Sequence, residues 1–195
     1  KNFPAYLFPT TIASQSGAEL VYDDQGFPWR LYPLIENTIT VDFVTSTTEA
    51  YEAAAGFGRL TKNLNEIDCS LFQPTLDRFH DLDWRYQQFE NELAQASEQV
   101  RKEVADEIDQ VKLYKYLVAE YNQLIESGAL KERITHNDTK INNILFDKDS
   151  PKAVCIIDLD TLMPGYFIYD LGDLVRTCVS PVSEEEADIS KIEFR

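Results

Sequence analysis

The sequence predicts an α+β chain in which a short N-terminal β-hairpin leads into a mainly helical body that carries a second β-hairpin. Three observations point there. Val21-Tyr22-Asp23 and the apolar stretch from Phe27 onward are separated by Asp24-Gln25-Gly26, residue types that favour a tight turn. No Gly or Pro occurs between Pro74 and Gly128, and apolar side chains recur there at helical spacing. Finally, the apolar runs 144–146 and 153–157 flank Asp147-Lys148-Asp149-Ser150-Pro151, a turn composition.

The elements follow in order. Gly26-Phe27-Pro28-Trp29-Arg30-Leu31-Tyr32 supplies the return strand of the first hairpin. Residues 49–64 form an Ala-rich helical run containing Gly56-Phe57-Gly58, which is neither a G-x-G-x-x-G nor a Walker loop. Between Pro74 and Gly128 the positions Phe89, Leu93, Val100, Val104, Ile108, Val111, Leu113, Leu117 and Leu124 predict two or three helices. Ser127-Gly128 is the expected C-cap of the last. Trp84, Tyr86, Phe89, Tyr114, Tyr116 and Tyr121 are expected to pack into a core, and His80 to cap or pack at a helix start. No repeat or low-complexity segment interrupts this order, and Glu184-Glu185-Glu186 is too short to count as one.

The chemistry is concentrated near the second hairpin. His136-Asn137-Asp138-Thr139-Lys140-Ile141-Asn142-Asn143 has the spacing H-x-D-x-x-x-x-N, and Asp158 closes the apolar run that follows. Phosphoryl transfer asks a protein to position reactants and to neutralise charge. Asp138 is the candidate base for an attacking hydroxyl, and Lys140 the cation beside it. Asn143 and Asp158 offer a neutral and a charged oxygen to Mg²⁺, which takes few protein ligands and completes its octahedron with phosphate and water. His136 suits a hydrogen-bonding support better than a base. With only His80 and His136 present there is no His-based metal cage. Singly, each of these residues reads as a surface turn or a strand-end carboxylate. The loop, strand, turn, strand, acid order makes them one catalytic hairpin.

These motifs resemble the aminoglycoside phosphotransferase and choline kinase superfamily, the small-molecule branch of the protein-kinase-like fold. The wording HNDTKINNILFD…CIIDLDTLMPGYFIYDLGD is most similar to N-acetylhexosamine 1-kinases, and the likeness is strongest over 133–176. The resemblance implies Asp138 as catalytic base, Asn143 and Asp158 as magnesium ligands, and Asp170 as a buried acid bracing the catalytic loop. Lys140 departs from antibiotic kinases, which carry His there, and agrees with protein kinases and the hexosamine group. Asp160 fits the hexosamine wording as either a solvated carboxylate or a contact to substrate or a second metal.

Under the same resemblance, residues 1–40 are the end of a small lobe with its hinge. Residues 41–195 are a helical large lobe bearing the catalytic loop and metal-binding segment. Leu34, Ile35 and Glu36 are then the hinge candidates for holding the adenine of ATP. Trp84 and Tyr86, which follow the family-like Phe79-His80-Asp81, are the candidates for a substrate wall. A kinase also needs a phosphate-covering loop, a strand lysine and a helix glutamate ahead of the hinge. None of these lies in residues 1–40, and the single Met is Met163. The expectation is therefore a fragment lacking part of the small lobe and the closing C-terminal helices after the polar stretch 183–195, inactive by itself.

Composition bounds the partners. Acids outnumber bases 34 to 18 for a net charge of −16, and no basic stripe is evident, which disfavours nucleic acid and anionic membrane. Acidity could suit a cationic substrate, but most of the charge sits on solvated helical faces. No apolar run of about 18 residues could span a bilayer. Cys69, Cys155 and Cys178 form no CxxC and no even framework, which favours a reducing cytoplasm. Asn137-Asp138-Thr139 is formally a glycosylation sequon, and a glycan there would block the proposed base. No sulfatase C/S-x-P-x-R or G-x-S-x-G elbow appears, so hydrolase chemistry is set aside.

The expected function is an ATP- and Mg²⁺-dependent kinase of a small hydroxyl compound, foremost an N-acetylhexosamine. A choline- or aminoglycoside-type acceptor is the alternative acceptor class. A pseudokinase that keeps the nucleotide fold without turnover is the alternative of a different kind. Oligomeric state is written in no motif.

Overall fold

In the computed structural model, residues 7–183 and 186–191 are described. The expectation about the polar end of the chain falls partly on Glu184, Glu185 and residues 192–195, outside the described residues.

The first hairpin pairs β1 (Val21–Tyr22) with β2 (Pro28–Trp29) antiparallel, Val21 opposite Trp29. Its turn is organised by Asp23, whose Oδ1 accepts from the backbone N–H of Gln25 and Phe27, each at 2.9 Å, and whose Oδ2 accepts from Trp29 Nε1. Gly26 sits at φ +85°, a conformation open to glycine at little cost. These donors hold the Asp23 carboxyl below the usual carboxylate range, the Trp29 indole contributing most.

A short strand that periodicity did not announce, β3 (Thr38–Ile39), follows. Helix α1 (Thr47–Leu64) starts at a reciprocal cap: Ser46 Oγ accepts from the Glu49 N–H at 3.2 Å, and the Glu49 carboxylate reaches back to the Thr45 N–H at 2.7 Å. One face of α1 (Ala53, Phe57, Leu60 and Leu64) is buried. Gly56 lies on this face, where an added Cβ would stand 3.2 Å from Ala153 Cβ. Of the two glycines in Gly56-Phe57-Gly58, Gly56 thus belongs to a close helix–sheet contact, while Gly58 faces open space.

The 74–128 region holds four helical segments where two or three were expected: α2 (Leu82–Gln95), α3 (Glu98–Glu103), α4 (Ala105–Leu113) and α5 (Tyr116–Glu126). The path breaks at Val104 (φ −118°, ψ 33°) and near Tyr114, short interruptions that apolar periodicity cannot reveal. The last ends as the sequence requires. Gly128 adopts φ +70°, its N–H donates to Ile125 O, and Ala129 N–H to Leu124 O, a Schellman closure. The expected aromatic core is corrected here, because none of the six rings is fully buried. Tyr114 and Tyr116 are exposed, 50% and 54%. His80 does not cap α2 either, since Asp81 Oδ1 accepts from the Trp84 N–H in that role.

The second hairpin is present. Strand β4 (Glu132–Thr135) precedes it, and β5 (Ile144–Asp147) then pairs with β6 (Ala153–Ile156), Ile144 opposite Ile156. Strand β3 joins the other edge of β5, giving the order β3-β5-β6. Strand β7 (Met163–Tyr166) pairs with β4 as a separate two-stranded ribbon and runs directly into α6 (Phe167–Val179). Ile134, Ile141, Ile144, Phe146 and Ile156 close on the α1 face to form the main core, burial that dominates the stability of such a unit. No helix among the described residues is long and apolar enough to cross a membrane.

Candidate active site

Strand β4 and the three-stranded sheet aim their ends at one place. After Thr135 the chain turns through His136, Asn137 and Asp138, then makes a 3₁₀ turn over Ile141–Asn143 before entering β5. Asn137 occupies the left-handed region at φ +67°, and Asp158, just past β6, does so at φ +57°. Left-handed non-glycine residues cost free energy and collect at functional sites.

The structure brings together five of the predicted residues. Asn143 Nδ2 donates to the backbone oxygen of Asp138 at 2.9 Å and to its Oδ2 at 3.0 Å. Lys140 Nζ lies 3.2 Å from Asp138 Oδ1. With the Asn143 nitrogen engaged, its Oδ1 is the amide atom able to serve a cation. The Asn143 carbonyl accepts from the Ile157 N–H at 2.9 Å, so Asp158 starts one residue from a direct link to that turn. His136, fully buried, directs Nε2 to the Ile157 carbonyl at 3.0 Å and accepts the Asp138 N–H at Nδ1, 3.3 Å. Because a carbonyl can only accept, the proton is on Nε2 and the ring is occupied on both sides. Phe57 of α1 meets its edge at 5.5 Å.

Asp170, in the first turn of α6, is buried and receives two amides, His136 N–H on Oδ2 at 3.0 Å and Asn137 N–H on Oδ1 at 2.8 Å. Its backbone oxygen accepts from Thr139 Oγ1 at 2.7 Å. Burial pushes its carboxyl up from the usual range, and the two amides offset only part of that rise.

Two further residues emerge that the motif did not single out. Asn137 Nδ2 donates to the carbonyls of Thr135 and Thr161, and Oδ1 accepts from Thr135 Oγ1 at 3.0 Å. That side chain therefore ties β4 to the segment after Asp158 and, at 2% exposure, leaves no room for a glycan. Gly165 of β7 faces this junction, where an added Cβ would collide with Thr135 Oγ1 and lie 3.2 Å from Asn137 Oδ1.

A cavity of about 340 Å³ adjoins the acid. It is walled by Tyr32, Leu34, Ile35, Leu145 and Ile157 and closed by Asp158. Leu34 and Ile35 thus share a space with Asp158, whereas Glu36 is not among the residues lining it. The Ile35 carbonyl is taken by Thr38 Oγ1 at 2.6 Å. Leu145 could have been read from β5, whose alternation buries Ile144 and Phe146 and turns Leu145 to the other face. Asp160 lines the same cavity and is paired with the Arg30 guanidinium. Trp84 and Tyr86 do not line it. Trp84 carries the Arg78 guanidinium 4.5 Å over its ring, and Tyr86 the Lys115 ammonium at 4.8 Å.

Among the described residues no group of three or more His, Cys, Asp and Glu could hold a metal ion. A cation here would have one carboxylate and one amide oxygen. That hard, sparse donor set fits Mg²⁺ held largely by phosphate and water, and fits Zn²⁺ poorly.

A family model described as the phosphotransferase enzyme family, APH, matches residues 10–192. The chain belongs to this family. Membership makes it a phosphotransferase-type enzyme whose substrates are small molecules. The α+β architecture, with small sheets and a helical part, is compatible with the protein-kinase-like fold of the family.

Proposed function

We propose that this phosphotransferase is an ATP- and Mg²⁺-dependent kinase acting on a hydroxyl of a small molecule, with an amino sugar of the N-acetylhexosamine type as acceptor. The observation that carries the reading is the adjacency of Asp138, Lys140, Asn143 and the Asp158 loop beside an apolar cavity reached by Leu34 and Ile35. The apolar walls suit the flat face of a purine, and the Asp158 end suits the phosphates. Residues 1–40 would then act as hinge and small-lobe segment, and 41–195 as the catalytic lobe.

In this reading Asp138 accepts the acceptor hydroxyl's proton as its oxygen bonds to the γ-phosphorus. The bond from phosphorus to the bridging oxygen breaks, and ADP leaves. Asn143 keeps one Asp138 oxygen oriented, and Lys140 offers a cation to the transferring group while limiting rotation of the carboxylate. Mg²⁺, held through Asn143 Oδ1 and Asp158, would neutralise phosphate charge. The hexosamine preference rests on the likeness of residues 136–174, and Asp160, paired with Arg30 at the cavity, is the group assigned to a sugar contact. The free cysteines Cys69, Cys155 and Cys178 favour a cytoplasmic setting.

The test is ADP release by the full-length protein with Mg-ATP over N-acetylhexosamines, hexoses, choline and aminoglycosides, with Asp138→Asn as control. Release with one acceptor class, lost in the variant, supports the kinase and names the class. Turnover by Asp138→Asn within a few fold of wild type would remove Asp138 as the base.

A further inference from the structure

The chain has two histidines, and both grip the same peptide group. His80 Nε2 lies 3.0 Å from the Asn137 carbonyl oxygen, and His136 Nδ1 accepts the Asp138 N–H at 3.3 Å. These are the two polar ends of the peptide unit joining Asn137 to Asp138. His80 comes from the segment just before α2, 57 residues earlier in sequence, so it is a nonlocal partner with no part in the H-x-D motif.

We propose that His80 is a positioning residue for Asp138, acting through the Asn137–Asp138 peptide plane. The proposal rests on the kinase reading above for its catalytic consequence and on the geometry for the rest. A carbonyl oxygen only accepts, so His80 donates from Nε2–H, and it does so in either charge state. The ring is set for this by its neighbours. It stacks on Tyr169 of α6 at 4.8 Å with an interplanar angle of 27°, and Phe79 meets it edge-on at 4.4 Å. Tyr169 is in turn bonded to the Tyr121 hydroxyl of α5.

The need for such a donor is visible in the backbone. Asn137 is held left-handed at φ +67°, a conformation asparagine tolerates better than most side chains but that still costs free energy unless its surroundings hold it. Asp170 holds the N–H side of Asn137 at 2.8 Å, and the Asn137 side chain is engaged with Thr135 and Thr161. The remaining polar group of that residue is its carbonyl, the atom His80 takes. With this plane fixed at both ends, the N–Cα axis of Asp138 is placed, and the bond from Asn143 Nδ2 to the Asp138 carbonyl at 2.9 Å restrains rotation about that axis, so the direction of Cβ and the carboxylate depends on both. Asn143 Nδ2 and Lys140 Nζ then meet a carboxylate already aimed.

The test compares wild type, His80→Phe, which keeps the stacked ring without a donor, and His80→Gln, whose amide nitrogen reaches the Nε2 position. Two readouts are taken on the full-length protein: kcat and KM for both substrates, and hydrogen-exchange rates of backbone amides over 136–140. Expected for His80→Phe is a kcat about tenfold lower, consistent with a catalytic group displaced by a fraction of an ångström. Both KM values should stay within about twofold of wild type, as for loss of an orienting group, and exchange at Asn137 and Asp138 should be faster. His80→Gln should restore both readouts. Wild-type kcat and exchange in His80→Phe would overturn the proposal, as would His80→Gln falling equally far. A loss confined to the acceptor KM would overturn it too, making His80 a ligand contact. Should wild type transfer no phosphoryl group, the kinase reading fails separately. The exchange comparison then decides alone: unchanged rates in His80→Phe reject the positioning role, and faster rates restored by Gln sustain it.

Discussion

The backbone carbonyl of Asn143 accepts the N–H of Ile157 at 2.9 Å. This bond extends the β5–β6 pairing by one step and sets the two proposed cation ligands, Asn143 and Asp158, side by side at the open end of the sheet. Each ligand adjoins a strand that feeds the core shared with α1, through Ile144 and Phe146 of β5 and Ala153 and Ile156 of β6, so the placement of the pair follows from the core and not from the loop alone.

Truncating either proposed ligand should therefore leave the fold alone and change the metal dependence. Asn143→Ala and Asp158→Ala are expected to raise the Mg²⁺ concentration for half-maximal turnover by tenfold or more, about 1.4 kcal/mol, with Asp158→Ala the worse for its lost charge. Magnesium titration of initial rates checks this. An unchanged midpoint in Asp158→Ala would dismiss it as a ligand.

Asp158 also carries a cost in its backbone, at φ +57°. Asp158→Gly should unfold at a Tm no lower than wild type, since relief of about 1 kcal/mol of left-handed strain offsets the flexibility of glycine. The same variant should need at least as much extra Mg²⁺ for half-maximal turnover as Asp158→Ala, since the carboxylate is lost in both. A clear drop in Tm would show that the Asp158 side chain supports the fold.

Asp138→Asn should lower kcat by about 10²- to 10⁴-fold, the range of a lost general base. Its melting temperature should move little, because the new amide oxygen can still accept from Asn143 Nδ2. A calorimetric scan beside the rate assay separates the two effects.

Asp170 makes a pH-dependent prediction. Burial, its largest influence, raises its folded-state pKa above the unfolded value of about 4. The protonated form is thus favoured by folding, and the stability linked to this group is complete below the unfolded pKa and falls as pH rises through the folded one. The excess stability of wild type over Asp170→Ala should accordingly shrink from pH 4 towards neutrality. At every pH the variant should still be the less stable, since the His136 and Asn137 amides lose buried acceptors, about 1–3 kcal/mol each. Urea unfolding at pH 4, 5.5 and 7 measures this, and a difference that grows with pH would reverse the assignment.

Cys155, inside β6 and 2% exposed, has its thiol pushed up to about 11 by burial. At pH 8 only about one thiol in a thousand is then thiolate. Native-state alkylation should modify Cys69 and Cys178 well before Cys155, read by peptide mass mapping. Early modification of Cys155 would mean that β6 opens readily.

What the sequence alone determined is local. The Asp23 turn, the run of α1, the Gly128 helix stop and the strand-turn-strand order around 144–157 all depend on residues a few positions apart, where turn chemistry, capping and periodicity act. The spacing of Asp138 to Asn143 belongs with them, because one short loop fixes it. Tertiary structure decided the rest. Strand β7 has the composition Met-Pro-Gly-Tyr, which announces no strand. It pairs because β4 offers a partner and because Gly165 lets the ribbon close over Thr135, with Pro164 tolerated on a two-stranded edge. The breaks at Val104 and Tyr114 and the exposure of the helical aromatics likewise depend on what each helix packs against. The convergence of His80, Thr161 and Asp170 on Asn137, the residue before Asp138, joins segments distant along the chain. Such contacts form only once loops have closed and apolar faces have been buried, and neither process leaves a mark within a window of sequence.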